Sequence, residues 1–343
     1  MDVLSTVQRI AHGIVHGIVH GIAAGVDPGI TKPPETGTQQ TDNSAAPAPR
    51  DASYRTAGGA FRGAGLWSIG IRRPPPAVHA YMPELPEVEH AAQRLRDAVL
   101  GHTIASASTY HPSQARGFPP AAQQAVTGQR IARIERRAKV QLLHLANGAV
   151  LEVHFRMTGD WEFTAVHDAP PRFERVRFQT REGTRVSLVD GRAFCVVTLH
   201  APGAFPGIDA GPEPLTDDFT VDGFAASLAR RSGPIKPTLL DQKLVAGVGN
   251  IYASEACWEA KIHPATPANR LSPRRVARLR DAVRLVLDTA PRGRYYARTA
   301  ESERAIWRVY GKEGEPCQRC GSMIARLEQA GRSTFYCKRC QRY

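Results

Sequence analysis

Four cysteines stand in two tight pairs near the C-terminus, Cys317-Gln-Arg-Cys320 and Cys337-Lys-Arg-Cys340. This is the spacing of a Cys₄ zinc site, in which four thiolates close a tetrahedron around one structural ion. A module of about thirty residues cannot bury a core, so the metal must supply its folding energy. Arg326, Arg332, Lys338 and Arg339 make the module basic, and basic zinc modules hold phosphate backbones. Cys195 and Cys257 stand alone and read as small buried apolar residues. A second candidate lies at Gly247-Val-Gly249, which leads into a predicted helix at Asn250. Such a turn presents backbone N–H groups to an anion, and Lys236 completes a phosphate grip. The same spacing also fits a plain tight turn between helices. Glu84, taken by itself, is a carboxylate at a helix N-terminus, where the dipole favours it.

The chain that must position these groups has 343 residues, with 45 Lys and Arg against 32 Asp and Glu, a formal charge of +13. That excess points to a polyanionic partner, nucleic acid first. The composition excludes a chain disordered throughout, and six cysteines are too few for a disulfide scaffold. No run of 18 apolar residues is present, so no membrane-spanning helix is expected. The charge is uneven: +2 over residues 1–81 and +11 over 82–343. Residues 1–81 hold the repeat HGIVHGIVHGI and a stretch rich in Pro, Thr, Ala and Gly. They read as a disordered extension, or as upstream sequence included by a misassigned start. His12, His16 and His20 would share a helix face, but the interleaved Gly13, Gly17 and Gly21 oppose a stable helix.

Order begins at Met82. Leu85, Val88, Ala92, Leu95 and Val99 recur at helical spacing, with Pro86 in the first turn and Gly101 as a stop. Val140 to Leu145, Asn147-Gly148 and Leu151 to Phe155 predict a β-hairpin. Strands are expected at 173–180 and 185–199, so 102–209 reads as β-rich. Helices are expected around 217–231, 236–244, 250–260 and 273–289, the last with Ser272 as N-cap and Pro273 in first position. The short cysteine-anchored module follows.

Met82-Pro83-Glu84-Leu85-Pro86-Glu87 resembles the start of the formamidopyrimidine-DNA glycosylase/endonuclease VIII family, closer to its formamidopyrimidine branch. Further segments resemble the family in the same order. They are Arg136-Arg-Ala-Lys139, His154-Phe-Arg-Met-Thr-Gly159, Asp190-Gly-Arg-Ala-Phe194 and Gly211-Pro-Glu-Pro-Leu215. Ile235 to Gln242 and Val248 to Glu255 are similar to its helix–two-turn–helix element, and Tyr310 to Cys317 and Gly331 to Cys337 to its zinc finger. The resemblance implies a multidomain α+β fold. An N-terminal helix and two-layer β-sandwich would occupy 82–210, a helix–two-turn–helix domain 211–308, and a zinc finger with one structural Zn²⁺ 309–343. It implies a cytoplasmic, nucleoid-associated monomer acting on damaged double-stranded DNA, without membrane attachment.

The implied chemistry is base excision with strand scission. Lesion removal takes the base out of the stack, and inserted side chains fill the gap. Met157, Arg192 and Phe194 supply an apolar wedge, a cation for the orphaned base and a stacking ring. Pro83, as a free N-terminal secondary amine after removal of Met82, would be the nucleophile, and Glu84 the general acid/base. The resemblance gives Lys139 as a catalytic or phosphate-contacting cation and Arg332 as a phosphate clamp, with Lys236 and Asn250 on DNA. If residues 1–81 stay attached, Pro83 nitrogen is an inert amide, and a DNA-binding zinc-finger protein without lyase activity results. One segment departs from the family. Pro291 to Trp307 has two Tyr and lacks the Gly-Tyr-Phe of the loop expected to cap a flipped oxidised purine, which leaves purine and pyrimidine lesions both open.

Overall fold

The computed structural model describes residues 82–291 and 306–343. The expectations for residues 1–81 and most of the 291–307 loop therefore lie outside the described residues. Helix α1 (Leu85–Val99) forms as its periodicity requires, with buried Leu85, Val88, Ala92, Leu95 and Val99 on one face. Glu87 reaches back to the Glu84 N–H at 3.1 Å, as in a capping box.

Strands β1 (Ile104–Thr109), β2 (Ile131–Arg137), β3 (Val140–Leu145), β4 (Val150–His154), β5 (Asp160–Ala165), β6 (Glu174–Thr180), β7 (Thr184–Val189) and β8 (Val196–His200) make two antiparallel sheets. Their orders are β1-β6-β7-β5 and β2-β3-β4-β8. The β3–β4 hairpin turns at Asn147-Gly148, with Gly148 at φ +85°. One core joins the layers: Leu143, Leu151, Val153 and Val197 from one sheet and Trp161, Phe178, Val186 and Leu188 from the other. Val88, Leu95 and Val99 of α1 complete it. Polar clasps hold α1 to both sheets. Arg94 pairs with Asp160 and donates to the Trp161 carbonyl, and Arg96 donates to the Ile134 carbonyl.

Two expectations for this region change. Residues 185–199 are not one strand, because β7 and β8 belong to different sheets and a turn at 190–195 separates them. Two short helices, α2 (Pro112–Gly117) and α3 (Pro120–Val126), interrupt the β-rich stretch, each opened by its proline.

The helical region contains α4 (Val221–Ala229), α5 (Ile235–Thr238), α6 (Asn250–Glu259) and α7 (Pro273–Asp288). The helix expected over 236–244 stops at Thr238. Side chains take over the backbone there: Gln242 bonds the Val248 carbonyl and the Gly247 N–H, and Asp241 accepts from the Lys243 N–H. Ser272 occupies the N-cap of α7 without a side-chain capping bond. Helix α6 is buried on nearly every side, the mark of a central helix. Strands β9 (Ile324–Gln329) and β10 (Arg332–Cys337) form the final hairpin. Among the described residues no helix is long and apolar enough to cross a membrane.

Candidate active site and metal centre

Glu84 is only 2% exposed and sits at the N-terminus of α6. Its carboxylate accepts from the N–H groups of Gly249 at 2.7 Å, Ile251 at 2.8 Å and Tyr252 at 3.3 Å. Two glycines allow this approach. A Cβ on Gly249 would lie 2.4 Å from the Glu84 carboxyl carbon, and one on Gly247 would lie 2.5 Å from Leu85 Cβ. Gly247 also has φ +78°, and its carbonyl receives the Leu85 N–H at 3.1 Å. Burial raises the Glu84 pKa to about 7, against the opposing pull of Lys139 and the α6 amides. The carboxyl is therefore poised to hold or release a proton near neutrality. Pro83, immediately before it, is buried. Glu87 accepts from the Tyr252 hydroxyl at 2.8 Å and ties α1 to α6 again.

Lys139 follows Ala138, which has φ +52° at the β2–β3 turn. Glu213 supports that turn, accepting from the Ala138 N–H at 2.7 Å and from Arg137 at 2.8 Å. Lys139 is 8% exposed, and burial lowers its pKa while Glu84 raises it and Arg332 lowers it further. Burial likewise brings Lys236 down to about 8, with Arg332 lowering it and Glu84 raising it. Lys139 and fully buried Lys236 thus both lie within the fields of Glu84 and Arg332. Lys236 Nζ bonds Asn250 Oδ1, and Asn250 Nδ2 reaches the Tyr310 hydroxyl at 3.2 Å and the Ser333 carbonyl at 3.1 Å. Asn250 so connects the start of α6 to the strand that carries exposed Arg332.

Met157 and the pair Arg192–Phe194 occupy two neighbouring loops. Phe194 is 50% exposed, with the Arg192 guanidinium 4.8 Å from its ring centre. Asp190, 1% exposed, organises both loops. It accepts from the N–H groups of Arg192, Phe194 and Cys195 and from the Thr158 hydroxyl beside Met157.

The four cysteine sulfurs lie within 4.8 Å of one another, including 3.9 Å for Cys317–Cys340 and 3.5 Å for Cys320–Cys337. Thiolates 2.3 Å from a shared zinc stand about 3.8 Å apart, so the cluster fits a tetrahedral structural ion. Trp258, Val309, Ile324 and Phe335 pack beside it. Glu255 of α6 grips the preceding segment, accepting from the N–H groups of Arg308, Val309 and Tyr310. Cys317→Ser should cut zinc content from one equivalent towards zero and weaken nucleic-acid binding, while the two-sheet core stays folded. Metal analysis with circular dichroism checks both parts, and zinc-free protein of full activity would contradict them.

The structure thus brings Glu84, Lys139, Lys236, Asn250 and Arg332 to one region and places Met157, Arg192 and Phe194 together on separate loops. The sequence reading missed Asp190, Glu87, Glu213 and Thr158 as organisers. Two signals were available: the Asp190-Gly191 turn pair, and Glu87 as the third residue after the N-cap.

Residues 82–197 match the formamidopyrimidine-DNA glycosylase N-terminal domain, 210–299 its H2TH domain, and 314–342 the zinc finger found in FPG and IleRS. The formamidopyrimidine-DNA glycosylase of Rhizorhabdus wittichii is 40% identical over 278 residues, spanning 76% of this chain and 100% of the relative. That of Chloroflexus aggregans is 42% identical over 277 residues, spanning 76% and 98%. Lactococcus lactis Fpg, solved with DNA containing an abasic site, superposes with a TM-score of 0.68 at 31% identity, over 76% of this chain and all of that one. A MutM structure with DNA containing carbocyclic 8-oxo-G gives 0.69 at 30% identity, with the same coverage. Three domain matches in unbroken order, and relatives aligned over 98–100% of their length, place the chain in the formamidopyrimidine-DNA glycosylase family.

Proposed function

We propose that this protein is a monomeric, nucleoid-associated base-excision-repair enzyme that removes oxidised bases from duplex DNA and then cleaves the strand as an AP lyase. The supporting observation is the buried Glu84 carboxyl, tuned to about 7, next to Pro83 and within the field of Lys139. Pro83 acts once it is the first residue. Its nitrogen lone pair forms the N–C1′ bond while the C1′–base bond breaks, and the base leaves with the proton from Glu84. The amine proton then passes by way of the Glu84 carboxylate to O4′ as the C1′–O4′ bond breaks, which leaves an iminium at C1′ and a hydroxyl at C4′. The iminium acidifies the C2′ proton, which passes to the Glu84 carboxylate as the 3′ phosphate departs.

Lys139 stabilises charge at the reacting sugar. Asn250 and exposed Arg332 hold the flanking phosphates, the arginine in the forked geometry suited to them, while Lys236, fully buried and bonded to Asn250 Oδ1, acts through Asn250 and does not reach the phosphate itself. Met157, Arg192 and Phe194 fill the gap left by the extruded nucleotide. The zinc holds the hairpin that presents Arg332.

Incision of duplexes carrying either an oxidised purine or an oxidised pyrimidine tests this reading and reports which lesion is preferred. A lyase leaves shortened, sugar-modified ends, whereas a simple glycosylase leaves an intact abasic strand. Binding should also weaken with salt at a log–log slope of roughly −4 to −8, as expected for a handful of neutralised phosphates. A flat salt dependence would contradict the phosphate clamp.

A further inference from the structure

Every lone pair of the Asp190 carboxylate is committed. Oδ1 takes the Arg192 N–H at 3.0 Å and the Thr158 hydroxyl, and Oδ2 takes the Phe194 and Cys195 N–H groups at 2.7 Å each. Three of these bonds shape its own loop. The fourth crosses 32 positions of sequence to the loop that carries Met157. The backbone of Asp190 is fixed as well. Its N–H donates to the Phe173 carbonyl at 3.0 Å, and its own carbonyl accepts from Arg175 Nε at 2.7 Å. Phe173 is a bulky residue held at φ +63°, and strain of that kind persists only where surrounding contacts over-determine it. On the other loop, Arg156 stands at φ +58°. Gly159 there is pressed against Phe155, whose carbonyl oxygen would lie 2.8 Å from an added Cβ. Both loops are thus closely held by their own contacts, and the Thr158–Asp190 bond joins them.

We infer that Asp190 and Thr158 are positioning residues that make Met157, Arg192 and Phe194 a single wedge, entering a duplex together where a base is missing. This rests on the wedge roles proposed above. A rigid wedge avoids ordering two loops separately at the moment of insertion, and its advantage appears only on DNA with a gap to fill.

Thr158→Val is the informative variant. It keeps the shape of the side chain, deletes the bridging donor and leaves the three backbone bonds to Asp190. Affinity for a duplex with a stable abasic-site analogue should fall about tenfold, the scale of one hydrogen bond to a charged acceptor. The fluorescence change of 2-aminopurine opposite the gap should shrink with it, while affinity for undamaged duplex stays near wild type and the melting temperature falls by only a few degrees, the cost of the buried acceptor that Thr158 no longer meets. Thr158→Ser should restore both signals. Met157→Ala and Phe194→Ala serve as references. If they lower the 2-aminopurine signal and Thr158→Val does not, the loops insert independently and the inference is overturned. If neither reference variant alters the signal, the wedge reading itself fails and the inference falls with it. An equal loss of affinity by Thr158→Val on damaged and undamaged duplex would mark a general structural role and also overturn it.

Discussion

Glu84→Gln should reduce excision of an oxidised base by ~10²–10⁴-fold, the usual contribution of a positioned proton donor, with duplex affinity changed by no more than about threefold. The carboxyl lies at the start of α6, with both oxygens receiving backbone N–H groups. An amide can accept on its oxygen alone, and its NH₂ would face a donor. The variant therefore loses the exchangeable proton and part of the anchoring, while the phosphate contacts proposed for Asn250 and Arg332 are untouched. Single-turnover excision beside equilibrium binding separates the two effects. Equal losses in both would make Glu84 a structural residue.

The pH profile follows from the same group. Departure of the base needs Glu84 protonated, and that form is lost as pH rises through about 7. Attack needs the neutral Pro83 amine, which an α-amino pKa of ~8 supplies increasingly as pH rises. The product of the two fractions peaks between those values and falls on both sides. Excision rates flat from pH 6 to 9 would contradict this pairing. The raised pKa also has a thermodynamic sign. A carboxyl that titrates higher in the folded than in the unfolded state favours folding while protonated, and that advantage is lost as pH rises from its ordinary value of 4.5 through about 7.

What the sequence made legible was local. The zinc ligands announce themselves because two Cys-x-x-Cys turns need only short-range spacing. Helix α1 and the Asn147-Gly148 hairpin follow from periodicity and one turn pair. Positions that depend on contacts distant in sequence were not legible from pattern alone. Lys139 comes to Glu84 across 55 positions, through a left-handed Ala138 that Glu213 holds from a third segment. Nothing near Lys139 in sequence shows its burial, since a lysine at the end of a strand is ordinarily solvated. The overlong helix at 236–244 arose because apolar spacing continues past Thr238, whereas Gln242 and Asp241 hydrogen-bond the backbone into turns. Asp190 was visible as part of a motif, but its bond to Thr158 exists only once the two loops meet. Pro112 and Pro120, each in a first turn, are the local signals that open α2 and α3.

A chain translated from Met82 should be trapped on abasic-site duplex by borohydride, and a 1–343 chain with an intact N-terminus should be trapped at least tenfold less. The argument is one of bonding. Reduction fixes an iminium, which requires an amine lone pair on the attacking nitrogen. When Pro83 follows Met82 that nitrogen is an amide, its lone pair is delocalised into the carbonyl, and it carries no hydrogen to lose. Removal of Met82 turns it into a secondary amine beside a tuned acid. The family match begins at residue 82, and relatives align over 98–100% of their own length with 76% of this chain, so a chain starting there carries the whole family unit. Met82 is also the only methionine between residues 1 and 157. Pro83→Gly is a poor control, because it leaves a primary amine that can also trap. The identity of the trapped residue, read by mass spectrometry of the reduced adduct, is the stronger measurement and should give the N-terminal proline. Equal trapping by the full 1–343 chain would move the nucleophile to another amine. Lys139 is then the first to examine, since burial already lowers its pKa and brings its neutral form closer to physiological pH.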